Sequence, residues 1–142
     1  MPQPPNKILV GVDFSEQAEN VARFALVLAH GLGAQVTILH AWHPLADFLD
    51  PQGYRERVAP RLQRQLDKLV ELLGDAVPVQ GVLEEGPAAQ AIVRFAERWR
   101  YDLIVIGTSG MGRAERLLLG TVADRVIRTS PVPVLTVPPA RP

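Results

Sequence analysis

Residues 103–121 read LIVIGTSGMGRAERLLLGT. The run LIVIG is apolar and β-branched, as a buried strand requires. The stretch that follows holds glycines 107, 110, 112 and 120, four of the eleven in the chain. Val122, Ala123, Val126 and Ile127 then recur at helical spacing. Strand, glycine-spaced loop and helix together make half of a β-α-β unit, and they place bare backbone at the carboxyl end of the strand.

The same alternation runs outward in both directions. KILVGV (7–12) reads as a buried strand, and either Asp13 or Ser15 can cap the helix after it. Val21, Phe24, Ala25, Leu28 and Leu32 form that helix's stripe, which GLG (31–33) ends. VTILH (36–40) is a second strand, and Pro44, Pro51 and Gly53 place a loop over 41–53. Leu62, Leu66, Leu69, Val70 and Leu73 line a second helix that Gly74 stops; Pro60 either begins its regular part or kinks it. VPVQGVL (77–83) is a third strand, placed towards an edge by Pro78 and Gly81. Pro87 opens a third helix with Ala88, Ala91, Ile92, Phe95 and Trp99 on its apolar face, and VPVLTV (132–137) is the last strand. The order predicts a single-domain α/β fold over 1–142, a doubly wound parallel sheet with helices on both faces and frayed tails at 1–5 and 138–142.

Composition narrows the function. Fifteen basic residues balance fifteen acidic ones, which leaves no electrostatic footprint for nucleic acid or an anionic membrane. Thirteen of the basic residues are arginine, which high-GC coding or a hot habitat explains equally well. With no cysteine, disulfides, thiolate catalysis and thiolate metal sites are excluded. MPQPPNKILVGVD lacks the basic start and apolar core of a signal peptide, and FALVLA (24–29) is too short to span a bilayer, so a cytoplasmic protein is expected.

In open α/β sheets, ligands bind at the carboxyl ends of strands where the winding reverses. If the first and fourth strands are neighbours there, one crevice holds Asp13 and the glycine-spaced loop. Glycines let backbone N–H groups approach an anion, and Gly120-Thr121 stands at a helix start, which attracts phosphate. Arg113 and Arg116 add positive charge. Asp13 repels phosphate but suits sugar hydroxyls. A carboxylate at one end and a phosphate cradle at the other suit a nucleotide. Neither G-x-x-x-x-G-K-[ST] nor G-x-G-x-x-G occurs, so neither familiar phosphate loop is present. The plainer reading is a glycine-rich connector that only turns the chain.

Over nearly its whole length the chain resembles the universal stress protein family. ILVGVDFSE (8–16), YDLIVIGTSGMG (101–112) and LLLGTVADRVIRTSPVPVLTV (117–137) are each similar to family signatures. Gly107, Gly110, Gly120 and Thr121 match the G-x2-G-x9-G-[ST] pattern of the nucleotide-binding members at full spacing. The resemblance implies five parallel strands in the order 3-2-1-4-5. It also implies ATP, with Mg²⁺ or Mn²⁺ held through its phosphates. Asp13 would then meet the ribose, Val12 and Ala41 the adenine, and Gly110, Met111, Gly112, Arg113, Gly120, Thr121 and Val122 the phosphates. A homodimer through the last strand is implied too, with Val132, Val134, Leu135 and Val137 at or near the interface.

Other constellations read as less specific. His40 and His43 with Asp47 have a permissive spacing for a metal, but without H-E-x-x-H or a fourth ligand they read as solvated histidines. Ser109 lacks a G-x-S-x-G setting. Glu84 and Glu85 are adjacent on a strand end and so face opposite sides. Three functions fit: a regulatory ATP-binding protein of stress physiology, a slow ATPase or phosphotransfer enzyme, and an interaction module whose nucleotide is structural. No base or nucleophile stands out for the second.

Overall fold

A computed structural model describes residues 3–43, 49–108 and 119–140. Nine elements alternate: β1 (Lys7–Val12), α1 (Ala18–Leu32), β2 (Gln35–Trp42), α2 (Pro51–Leu73), β3 (Val79–Glu85), α3 (Ala88–Arg98), β4 (Leu103–Gly107), α4 (Thr121–Thr129) and β5 (Val134–Val137). All strand pairs are parallel, and the sheet order is β3-β2-β1-β4-β5, as the family resemblance implies. The strand order reverses between β1 and β4, so their carboxyl ends bound a switch-point crevice.

Alternation along the strands divides the core in two. Ile8, Val10, Val36, Ile38 and Val105 pack under α1 and α2, whereas Leu9, Leu39, Ile104 and Ile106 pack under α3 and α4. Helix α1 meets the sheet mainly through alanines 18, 22, 25 and 29 together with Val21, small residues that let it lie close. Phe24 and Leu32, expected on that stripe, are instead exposed, Phe24 by 47%. The buried stripe is rotated from the expected one, because alanine carries little hydropathy signal. Neither Asp13 nor Ser15 is the N-cap. Gln17 is, with no side-chain cap, and the preceding residues form a chain of turns: Ser15 N donates to the Asp13 carboxylate (2.9 Å) and Gln17 N to the Ser15 hydroxyl (3.3 Å).

Helix α2 is longer than its leucine stripe. It starts at Pro51, where the Asp50 carboxylate accepts from Gly53 N at 3.0 Å. Pro51 and Gly53 are therefore cap chemistry rather than loop, and Pro60 lies inside the helix, not at its start. Leu66 is fully buried and sits on Gly81, where a Cβ would lie 2.8 Å from Leu66 Cγ. Strand β3 starts at Val79 and not Val77, since Pro78 cannot donate to a ladder. It is an edge strand as expected. Pro87 stands at the N-cap of α3, one residue before the first helical position. Trp99 is the C-cap of α3 and half exposed, not a core residue, and Phe95 is partly buried against Trp99 and Tyr101. On α4, Ala123 and Val126 are buried while Val122 and Ile127 are exposed. Strand β5 is shorter than expected, beginning after Pro133.

Candidate functional site

The carboxyl ends of β1 and β4 open into a cleft of about 270 Å³. Gly11, Val12 and Asp13 come from β1 and its exit, Ile106, Gly107 and Thr108 from β4, and Ala41 from the end of β2. The amino-terminal ends of three helices close it: Ala18 and Val21 of α1, Ala88 and Ile92 of α3, and Gly120 through Ala123 at the start of α4. Its lining is mostly aliphatic, with Asp13, Ser15, Gln17, Thr108 and Thr121 as the polar groups.

Seven residues expected from the sequence converge on this cleft: Val12, Asp13, Ala41, Gly107, Gly120, Thr121 and Val122. Gly110, Met111, Gly112 and Arg113 lie outside the described residues, as do Arg116, Ser109 and Asp47. The sequence reading missed Gly11, Ser15, Gln17, Ala18, Val21, Ala88, Ile92, Ile106, Thr108 and Ala123 as lining residues. Gly11 carried a signal, as a glycine within a strand marks a close approach. A Cβ there would lie 2.6 Å from Ile92 Cδ1 and 3.2 Å from Ile106 Cγ2, so the absence of a side chain lets α3 pack over the strand.

The start of α4 has its own chemistry. Gly120 is buried and in extended geometry (φ −67°, ψ 161°), with no side chain to cap the helix. Its N–H is occupied by the Thr108 carbonyl at 2.5 Å, and Thr108 N donates to Val137 O at 3.1 Å. The first intrahelical bond runs from Asp124 N to Gly120 O (2.9 Å). The N–H groups of Thr121, Val122 and Ala123 therefore have no intrahelical acceptor. The donors at this helix start are those three, and Gly120 itself is not one of them. The Thr108 hydroxyl is buried with no hydrogen-bond partner among the described residues.

Asp13 is exposed, and its carboxylate accepts from Ser15 N. His40 is not the solvated histidine expected: it is half-buried, its Nδ1 is 2.8 Å from Val12 O, and its ring lies 4.2 Å from that of Phe14. Among the described residues no group of three or more His, Cys, Asp or Glu side chains is placed to hold a metal ion. Glu85 pairs with Arg55 of α2, and both Glu84 and Glu85 line a groove beside α3. At the sheet edge, Val137 is buried in the core, and Val132, Val134 and Leu135 are half-buried. Among the described residues no helix is long and apolar enough to cross a membrane.

Fold and cleft define a doubly wound α/β protein with a polar-ended crevice at its switch point. Residues 5–138 match the Universal stress protein family, and the chain belongs to that family. A Thermus aquaticus relative, the universal stress protein in the QAH/OAS sulfhydrylase 3′ region, is 33% identical over 136 residues, covering 92% of this chain and 96% of its own. Among solved structures, the hypothetical protein MJ0577 superposes with a TM-score of 0.83 at 26% identity, over 94% of this chain and 96% of that one. The universal stress protein from Archaeoglobus fulgidus, solved in complex with dAMP, has a TM-score of 0.70 at 24% identity, over 94% and 98% of the two chains.

Proposed function

We propose that this chain is a regulatory ATP-binding protein of the stress response that holds nucleotide at the carboxyl ends of β1 and β4. The observation that carries the reading is the convergence, in one cleft, of the Asp13 carboxylate with an uncapped α4 start. The cleft volume falls just below the usual range for drug-sized ligands. That suits a nucleoside held inside with its phosphates at the mouth. Aliphatic walls from Val12, Ala41, Ile92 and Ile106 suit the base. Asp13 accepts from ribose hydroxyls, which a phosphate group in its place would not tolerate.

The N–H groups of Thr121, Val122 and Ala123 face an anion with the helix dipole behind them. The Thr108 hydroxyl, buried and without a partner among the described residues, fits a polar ligand in the same wall, since buried polar groups ordinarily have partners. By the sequence argument Gly107, Gly110, Met111, Gly112 and Arg113 complete the phosphate set. Mg²⁺ or Mn²⁺ would be held through the phosphates rather than by side chains. The dAMP held by the Archaeoglobus fulgidus protein agrees with an adenine nucleotide as ligand. In this reading the chain works as a homodimer through β5, in the cytoplasm. The test is mass spectrometry of nucleotide carried through native purification: ATP is expected, and a protein that arrives empty and fails to take up ATP in calorimetry refutes the reading.

A further inference from the structure

His40 holds the chain on both sides of Asp13. Its residue pairs with Val12 across β1 and β2, which puts its side chain at the end of β1. There Nδ1 donates to Val12 O at 2.8 Å, where β1 ends. The same ring packs against Phe14, with centroids 4.2 Å apart and planes 31° from parallel. Phe14 has φ 59°, in the left-handed region that a bulky residue avoids. Such a conformation persists only where its surroundings impose it, and strain of this kind gathers at functional sites. Asp13 is the single residue between these two anchors, and it lines the cleft.

We infer that His40 is the positioning residue for the Asp13 carboxylate. It fixes the backbone before Asp13 through a hydrogen bond and the backbone after it through the Phe14 ring. The αL turn at Phe14 then aims Asp13 at the cleft and lets its Oδ1 accept from Ser15 N, which fixes the carboxylate plane. His40 itself is absent from the cleft lining, so it acts on a ligand only through residues that line it, Asp13 among them. This inference rests on the proposal that Asp13 receives ribose hydroxyls.

The experiment compares adenosine with 2′,3′-dideoxyadenosine by calorimetry on wild type, Asp13→Ala, His40→Ala and His40→Asn, with circular dichroism as the fold control. Wild type prefers adenosine and Asp13→Ala does not. His40→Ala is expected to lower the preference by about fivefold or more, part of the tenfold or so that one bond to a charged acceptor carries. Its affinity for dideoxyadenosine stays within about twofold, because the rest of the cleft is untouched. Asparagine keeps a donor for Val12 but no ring for Phe14, so its loss is smaller.

A preference undiminished in His40→Ala overturns the inference alone. So does an equal fall for both ligands, which marks general damage to the cleft. Should the alanine variant fail to fold, a reduced preference in His40→Asn supports the inference and an unchanged one overturns it. A wild type with no preference, or a preference that survives Asp13→Ala, overturns the ribose reading and this inference with it.

Discussion

In the proposed reading, Gly120 stands where a side chain does the most harm to a bound phosphate. Its φ of −67° is open to any residue, so no left-handed strain opposes substitution. An N-cap side chain points at the N–H groups of the second and third helical residues, here Val122 and Ala123. In Gly120→Val, two methyl groups cover those donors. Two hydrogen bonds to a charged group are worth about 1.5–3 kcal/mol each. ATP affinity should therefore fall by about 100-fold or more, since each factor of ten is about 1.4 kcal/mol. Gly120→Ser perturbs the same donors with the opposite effect on stability. Its hydroxyl caps the helix internally, raising the stability of the free protein by a few tenths of a kcal/mol or about that, while competing with phosphate. Paired calorimetry with ATP and adenosine, with circular dichroism and thermal melts, reads both variants. Adenosine has no phosphate, so its affinity should survive in large part. Undiminished ATP binding by folded Gly120→Val, or an equal loss of ATP and adenosine, refutes the phosphate-cradle reasoning.

Asp13→Ala should weaken ATP and adenosine alike, each by about tenfold or more, because the lost contact is to sugar; normal binding of both, measured by calorimetry, removes Asp13 from the ribose. ATP turnover with Mg²⁺ or Mn²⁺ should be absent or very slow, and a multiple-turnover rate around 10 per second, typical of enzymes, reverses the regulatory reading. Edge strand β5 carries no charged residue to discourage pairing, so sedimentation should give a homodimer, and a monomer at micromolar concentration speaks against pairing through β5.

Local chemistry was legible wherever it was strong. Strands β1 and β4 fall where their apolar runs place them, and Gly33 and Gly74 end their helices at positive φ. The errors have physical causes. Pro60 looked like a boundary, yet α2 carries it within a 23-residue helix because Asp50 and Pro51 supply a complete start nine residues earlier. Phe24 and Trp99 were placed inside by hydropathy, but α1 lies on the sheet through alanine, and Trp99 has already left the α3 spiral. Pro78 and Pro133 shortened strands whose side-chain pattern continued through them.

The site divides along the same line. Glycines, a helix start and a carboxylate after a strand announce themselves within a few residues, and so Asp13, Gly107, Gly120 and Thr121 could be named from the sequence. What holds Asp13 in place could not. His40 acts on Val12 from 28 positions away, through a register that exists only once β1 and β2 are paired. Read locally it was a polar residue near a loop, with His43 and Asp47 beside it, and metal or solvent were the natural alternatives. Pairing turns the ring against Phe14 and commits Nδ1 to a carbonyl, a role that neither alternative contained. The left-handed turn at Phe14 was equally hidden, for the residue type argues against it. A bulky residue held there by a partner on the next strand ties the crevice to the sheet: the carboxylate can be aimed only after β1 and β2 have found their register.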